Sequence, residues 1–490
     1  MSSRKLLGLA VGVVGLGLRL AAAEVPPVPQ APDDPRILAV AQSSTGFAAD
    51  LYSRLRTRPG NFTIAPLGLA QALLPIAAGS RGPAGEELSA VLHLSVSPAE
   101  AADGCTILTQ RLERAAGGED GLAFARALWV RPQNAINTDF VELLRQRCAC
   151  ELRVIDFGQG DHAIHWMNRW ISARTDDRIL AIADATTLEP DANLVVGAAV
   201  YFDGEWQDAF DPTLTVMAPF HLPEPTPVAG DKPAAPAMQA DPVPAADATA
   251  ATDPVAPAAA AAAAAPDANA TAGGEPLPPA AATAAAEPPA PVAPEVAEVP
   301  TMRRLAWLRA VRQPGYRLVQ LPYRGERFAM VVLLPEADAT LAQVEADLSA
   351  ARIAECLQLV GRAEPTQVDL RLPRFQAARP VPELSTALQE LGAKTVFDRN
   401  GHADFSTLGI ARDDGSIHLS AVNHLVRFAV AEQGTQAATA VGAPSAVADY
   451  DVAVDGPLKF HVNRPFLFWV CDPRTGSLLF MGRVVDPRVG

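Results

Sequence analysis

The stretches FHVNRPFLF, residues 460–468, and LFMGRVVDP, residues 479–487, lie close to the carboxyl terminus. The second overlaps Leu478–Val485, a run of apolar and β-branched residues that predicts a strand. Further upstream, two similar runs flank Arg324-Gly325-Glu326, and this arrangement predicts a β-hairpin. The hairpin strands and two further predicted strands are Arg317–Tyr323, Phe328–Leu334, Val368–Leu372 and Leu425–Val430. Strands therefore dominate the second half of the chain.

The first half favours helix. Apolar residues recur at three- and four-residue spacings through Ile37–Leu55 and again through Leu67–Ala78, which predicts two amphipathic helices. Helices followed by hairpin-connected strands are typical of an α+β fold with a largely antiparallel sheet.

Composition limits the classes of function. The chain has 490 residues, of which 49% are apolar and 19% charged, so it can bury a large core and is unlike a wholly disordered polar chain. Its formal net charge of −15 repels phosphate, and we expect no nucleic-acid partner. Arginine makes up nearly all of the basic residues, and with the abundant alanine this indicates a GC-rich coding genome.

The amino terminus has the order of an export signal. Arg4 and Lys5 precede an apolar run, and small residues follow up to Ala23, so residues 1–23 are predicted to be a cleaved signal peptide. The alternative, an uncleaved anchor, is disfavoured because the run is shorter than a spanning helix needs. Residues 24–36 are a predicted Pro-rich tail. The mature protein is expected to be secreted or periplasmic, with no membrane span.

A second stretch of unusual composition interrupts the chain. Residues 224–298 are mostly alanine and proline and contain no aromatic residue, so they cannot bury enough apolar surface to offset chain entropy. We predict a disordered insertion in a surface loop of one domain that spans residues 37–487. The insertion is interpreted as a solvated spacer, with a docking segment as the alternative.

The residues that could carry catalysis form no recognisable constellation. There is no phosphate-binding Gly-rich loop and no His-Glu-x-x-His helix, and Gly79-Ser80-Arg81-Gly82 lacks the spacing of a nucleophile elbow. His162 and His165 have no evident third ligand, and the five cysteines suggest neither a metal site nor a disulfide framework. The sequence therefore predicts no enzyme, no catalytic residue, no metal and no cofactor.

Several short motifs together resemble the serpin family of serine protease inhibitors. The two carboxyl-terminal stretches are similar to its closing strands, and the others occur in the family's order along the chain. The resemblance implies one domain with three β-sheets, about eight or nine helices and an exposed reactive-centre loop, here in an exported bacterial member. The further motifs are residues 61–66, NFTIAP; 201–206, YFDGEW; 210–212, FDP; 299–302, VPTM; 321–323, LPY; and 372–375, LPRF.

The resemblance also implies a mechanism. A protease cleaves the exposed loop, the loop then enters the main sheet as an extra strand, and the acylated protease is carried along and distorted. The partner would be a target serine protease in a covalent complex, and the inhibitor itself would be a monomer.

Small side chains in the loop would let it slide between existing strands without overpacking the sheet. The resemblance places the hinge of this loop at Glu432, Gly434, Thr435, Gln436, Ala437, Ala438, Thr439 and Ala440. Gly434 would provide a flexible pivot, and Thr435 is suited to a strand. The alternative interpretation is an ordinary Ala-rich surface loop.

The family's spacing puts the scissile bond at Ala448-Asp449, within a region that includes Ala446, Val447 and Tyr450. No Lys or Arg lies between Gln436 and Leu458, which argues against trypsin-like targets. The small apolar residues would suit an elastase-like or subtilisin-like protease, whereas Tyr450 would suit a chymotrypsin-like one.

Some residues depart from the family pattern. In the region that must open for insertion, Ala65 and Gly68 replace the family's serines and Ala198 replaces its asparagine, while His424 matches the family's histidine. His424 is therefore expected to need other partners or a water. Pro444 lacks a backbone donor for a central strand. These departures keep a non-inhibitory binding or structural serpin as the alternative function.

Overall fold

The computed structural model describes residues 34–117, 121–223, 295–377, 380–381, 383–411, 416–436 and 456–489. The predicted signal peptide, residues 24–33 of the predicted tail and residues 224–294 of the predicted insertion lie outside this part of the chain, so those assignments stay predictions. Within the described ranges, no helix combines the length and the apolarity needed to cross a bilayer.

Nine α-helices occur in the described residues. They are α1 Pro35–Leu55, α2 Pro66–Gly79, α3 Gly82–Val91, α4 Pro98–Ala115, α5 Thr138–Leu143, α6 Asp161–Arg174, α7 Leu341–Ala346, α8 Ala350–Arg362 and α9 Leu384–Glu390. Both predicted helices are confirmed as α1 and α2. The predicted end of the tail at Arg36 is wrong, because the side chain of Asp34 caps α1 by accepting a hydrogen bond of 2.9 Å from the backbone N–H of Arg36.

Eighteen strands are described. They are β1 Phe62–Ile64, β2 Leu122–Val130, β3 Asn134–Ile136, β4 Glu151–Val154, β5 Leu194–Phe202, β6 Gly204–Glu205, β7 Val216–His221, β8 Val296–Gln313, β9 Tyr316–Pro322, β10 Ala329–Pro335, β11 Pro365–Pro373, β12 Phe375–Ala377, β13 Gly409–Ala411, β14 Leu419–Val430, β15 Gly434–Gln436, β16 Leu458–His461, β17 Phe466–Asp472 and β18 Ser477–Val484. The hairpin predicted around Gly325 is confirmed as the antiparallel pair β9 and β10.

The described strands form three sheets, as the resemblance implied, and the predicted α+β class is confirmed. A seven-stranded sheet has the order β4-β2-β5-β14-β15-β6, with β12 paired to β14. A nine-stranded sheet has the order β1-β18-β17-β10-β9-β8-β11-β16, with β7 paired to β8. A small third sheet pairs β13 with β3.

The carboxyl-terminal stretches join the two large sheets. Every residue of β17 and β18 is buried, which explains their nearly continuous apolar sequence. The ring of Phe428 on β14 lies 5.4 Å from that of Phe468 on β17 and 5.2 Å from that of Phe480 on β18. These aromatic contacts fix the seven-stranded sheet against the nine-stranded one.

The predicted end of the insertion at Glu298 is wrong. Strand β8 begins at Val296, which pairs with His221 of β7, and the backbone N–H of Leu222 donates to the carbonyl of Glu295 at 2.8 Å. Ala297 is buried between these strands. The composition of these boundary residues is similar to that of the Ala/Pro-rich segment, but their backbone hydrogen bonds and alternating burial show that they form a strand.

Helix α6 covers one face of the seven-stranded sheet. Its residues Met167 and Trp170 pack on β2, where the Trp170 ring meets Trp129 edge-on at 5.1 Å. The same apolar cluster includes Tyr201 of β5 and Leu425 of β14. The cover therefore extends across the boundary between β5 and β14.

All five cysteines fall within the described ranges, and all are buried free thiols. Burial raises the pKa of Cys105 and Cys148 to about 12. Both thiols therefore stay protonated at neutral pH, which is typical of packing residues and not of reactive ones.

Candidate functional site

The central feature of the seven-stranded sheet is the parallel pair β5 and β14, which we call the seam. Its register runs from Leu194 opposite Leu419 to Tyr201 opposite Arg427. A strand inserted at the seam and antiparallel to both neighbours would form a complete ladder on each side. The strands β2 and β4 form a second parallel pair in this sheet, but the seam is the one that β15 adjoins.

Strand β15 already has the direction that such an insertion requires. The chain turns after β14, and β15 runs antiparallel to it, with Thr435 opposite Val430. On its other side β15 is antiparallel to β6, with Gly434 opposite Glu205. Three residues of the predicted hinge thus fill the gap between the end of β14 and β6.

Gly434 has a steric role here. A Cβ atom at this position would lie 2.0 Å from the backbone oxygen of Gly204, so a side chain would push β15 away from β6. The structure therefore supports a close-approach role for this glycine, beside the predicted role of a pivot.

The YFDGEW motif holds the turn before β15. The indole N–H of Trp206 donates to the carbonyl of Ala431 at 2.9 Å, and its backbone N–H donates to the carbonyl of Gln433 at the same distance. The Trp206 ring stacks on Tyr323 at 4.5 Å, and the Tyr323 hydroxyl lies 2.6 Å from the Oγ1 of the fully buried Thr435. The hinge is thus anchored by a buried aromatic pair.

Glu432 forms a buried ion pair at this turn. The residue is buried, and its Oε1 accepts hydrogen bonds from Arg374 Nε at 2.8 Å and from Thr215 Oγ1 at 2.6 Å. Sequence reasoning named Glu432 but missed both partners. In the sequence, Arg374 stands out only as part of the LPRF motif, and no sequence feature indicates a role for Thr215.

The predicted opening region comes together at the seam. The backbone N–H of Ala65 donates to His424 Nε2 at 2.9 Å, so His424 Nδ1 carries the proton and donates to the carbonyl of Ala198 at 3.1 Å. His424 is buried and neutral, and main-chain groups replace the side-chain partners that Ala65 and Ala198 lack. The histidine therefore ties α2, β5 and β14 together across the seam.

Gly68 faces β5 and β2, beside the seam. A Cβ atom at Gly68 would lie 2.4 Å from the Cγ2 of Val200 on β5, so this turn of α2 packs too closely on the sheet for any side chain. The absence of a side chain at Gly68 thus lets α2 pack closely on β5.

Comparison with known proteins identifies this architecture. The family model described as Serpin (serine protease inhibitor) matches residues 42–232 and 293–487. The chain is a serpin. A serpin-like protein of Thermococcus kodakarensis is 26% identical to it, over 92% of this chain and 86% of the relative.

Solved serpin structures share the fold. Mouse protein-Z dependent protease inhibitor is 20% identical, with a TM-score of 0.68 over 92% of this chain and 98% of its own. Human thyroxine-binding globulin, solved in complex with thyroxine, is 18% identical, with a TM-score of 0.67 over 92% of this chain and 99% of its own. Both inhibitory and ligand-binding relatives therefore have this architecture.

Part of the predicted site lies outside the described residues. Ala437–Ala440 of the hinge, Pro444 and residues 446–450 around the predicted scissile bond belong to this part. The last described residue before them is Gln436 of β15, and the chain is described again from Gly456, just before β16 of the nine-stranded sheet.

Acidification is expected to weaken the closed seam through His424. Burial lowers the pKa of His424 to about 4, from an ordinary value of 6.5. When the sheet opens or unfolds, the imidazole regains its ordinary pKa and binds a proton that the closed state excludes. Stability is therefore full above pH 6.5 and falls as the pH drops toward 4, by up to about 3 kcal/mol.

The pH dependence can be measured as the free energy of urea unfolding between pH 7.5 and 4. His424→Gln is the matched control, because an amide can accept from Ala65 and donate to Ala198 without titrating. The difference between the two proteins should grow through this window. An equal loss of stability in both would contradict the assignment of the effect to His424.

Proposed function

We propose that this serpin inhibits serine proteases by the suicide mechanism. The catalytic serine of the target attacks the scissile carbonyl and loses its proton, the peptide C–N bond breaks, and the nitrogen that becomes the new amino terminus takes up a proton. The carboxyl-terminal fragment is then held only non-covalently, through the pairing of β16, β17 and β18 in the nine-stranded sheet. The acyl-enzyme ester then stays on the amino-terminal side of the loop. Entry of that loop into the seam displaces the protease and stops hydrolysis of the ester.

The direction of β15 is the observation that carries the proposal. It lies between β14 and β6 and points toward the seam, and small residues follow it in the sequence. Insertion would replace one parallel ladder with two antiparallel ladders, which are slightly more stable per residue.

The absence of basic residues between Gln436 and Leu458 supports an elastase-like or subtilisin-like target. The predicted signal peptide supports action in a periplasm or outside the cell. The proposal therefore includes both this target class and this location.

The test is incubation of the mature protein with elastase, subtilisin, chymotrypsin and trypsin, followed by denaturing gels and intact mass. Elastase or subtilisin should give an SDS-resistant adduct and a released carboxyl-terminal peptide whose mass places the bond between Ser445 and Val454. An adduct with trypsin alone would contradict the proposed target class. Cleavage without any adduct would contradict inhibition.

A non-inhibitory binding serpin is the second candidate. Two observations favour it, the structural similarity to thyroxine-binding globulin and Pro444, which removes a backbone donor from the strand that would insert. Clean cleavage by several proteases, with neither adduct nor gain in thermal stability, would favour this candidate.

A further inference from the structure

A groove lies between α6 and the edge strand β4, on the side of the sheet away from the hinge. The groove is open to solvent on one side and has a volume of about 600 Å³, within the range of small-molecule sites. Trp129 and Trp170 form its buried apolar floor. The Trp170 ring is held in place because its indole N–H donates to Glu151 at 3.1 Å.

Exposed apolar side chains line the rim of this groove. Trp166 on α6 is 51% exposed and Val154 on β4 is 65% exposed. A large ring left in water beside a concave apolar floor is typical of a surface that is covered by a ligand.

The charged side chains of the groove are mostly cationic, in a chain whose net charge is −15. Arg153, Arg169 and Arg174 line it, and Asp156 is the one carboxylate among its described lining residues. Both carboxylate oxygens of Asp156 already accept hydrogen bonds, one from the backbone N–H of Gly158 at 3.1 Å and one from the side chain of Gln159 at 3.0 Å.

The three arginines differ in their partners. Arg153 and Arg174 share the carboxylate of Glu151, so two cations face one anion. Arg169 lies 5.4 Å above the Trp166 ring and has no ion-pair partner among the described residues. The pair Arg169 and Trp166 therefore presents an unneutralised cation beside an exposed aromatic face.

We propose that the groove binds a small organic anion with an aromatic body, its carboxylate or sulfonate facing Arg169 and its ring lying against Trp166 and the apolar floor. The volume of the groove is that of a small-molecule site, and planar guanidinium groups are well suited to carboxylate and sulfonate oxygens. This site is distinct from the seam, because it lies under the outer edge of the α6 cover.

The probe is 8-anilinonaphthalene-1-sulfonate, titrated into the mature protein at low and high salt with fluorescence as the readout. We expect saturable binding at one site, weakened by salt and by at least about tenfold in both Trp166→Ala and Arg169→Glu. Trp307→Ala and Arg145→Glu, at exposed positions elsewhere, are the matched controls and should stay within about twofold of the parent. Circular dichroism melting checks that each variant is folded.

The neutral analogue N-phenyl-1-naphthylamine separates charge recognition from apolar adsorption, and it should bind much more weakly. Equal binding of the two probes would overturn the proposal, as would unchanged affinity in Arg169→Glu or an equal loss in Trp307→Ala. Protease trapping in Trp166→Ala should match the parent protein, so the result is independent of the proposed inhibitory function.

Discussion

Replacement of Thr435 by arginine is expected to convert this serpin from an inhibitor into a substrate of its target protease. Thr435 is fully buried between β14 and β6, and its hydroxyl contacts that of Tyr323 at 2.6 Å. A strand that enters the seam would keep this side chain inside, and a buried guanidinium without a partner is costly. Insertion should stall, and the acyl-enzyme should hydrolyse before it is trapped.

The measurement is the yield of SDS-resistant adduct per serpin cleaved, which we expect to fall by about a hundredfold or more. Gln433→Arg is the matched control, because Gln433 is exposed in the adjacent turn and contributes only backbone contacts to Trp206. Its yield should stay near that of the parent. Full trapping by Thr435→Arg would show that β15 does not lead the inserting strand.

Replacement of Glu432 by alanine is expected to lower the free energy of unfolding by about 3 kcal/mol, because Arg374 then stays buried without its anion. Arg374 and Glu432 are 16% and 4% exposed at their side chains, so solvent screens the pair weakly. The turn before β15 should loosen, and the seam should open more readily. Oligomers formed by exchange of loops between molecules should therefore appear at lower temperature than in the parent.

Glu189→Ala is the control for this variant, since Glu189 pairs with Arg399 on the surface, where each side chain is at least half exposed. Exposed pairs contribute about 0–1 kcal/mol, so this control should unfold almost like the parent. Urea unfolding and size-exclusion chromatography after graded heating measure the two effects. Similar losses in both variants would contradict a special role for the buried pair.

Local sequence pattern was sufficient for the regular elements. The predicted strand Leu478–Val485 differs from β18 by one residue at each end, and the predicted helix Leu67–Ala78 lies within α2. The spacing of apolar residues and the β-propensity are properties of short stretches of chain, and this is why they predict individual helices and strands correctly.

Pattern failed where the deciding contacts are distant in the chain. Arg374 meets Glu432 through folding of β12 beside β14, and no spacing rule connects the two residues. His424 was expected to need other partners or a water, but side-chain identities could not show that main-chain groups of Ala65 and Ala198 are those partners. Val296–Glu298 was assigned to the insertion because amino-acid composition carries no information about the pairing of these residues with β7.

That ladder has a practical consequence for protein engineering. The backbone hydrogen bond between Leu222 and Glu295 fixes the two ends of the intervening segment side by side at the tip of the β7–β8 pair. For the disordered insertion predicted from the sequence, chain length would enter stability only through a slowly growing closure entropy. We therefore expect that a fluorescent protein or an affinity module can replace it without changing the register of either strand. The molecule thus offers a cargo position that is built into its topology.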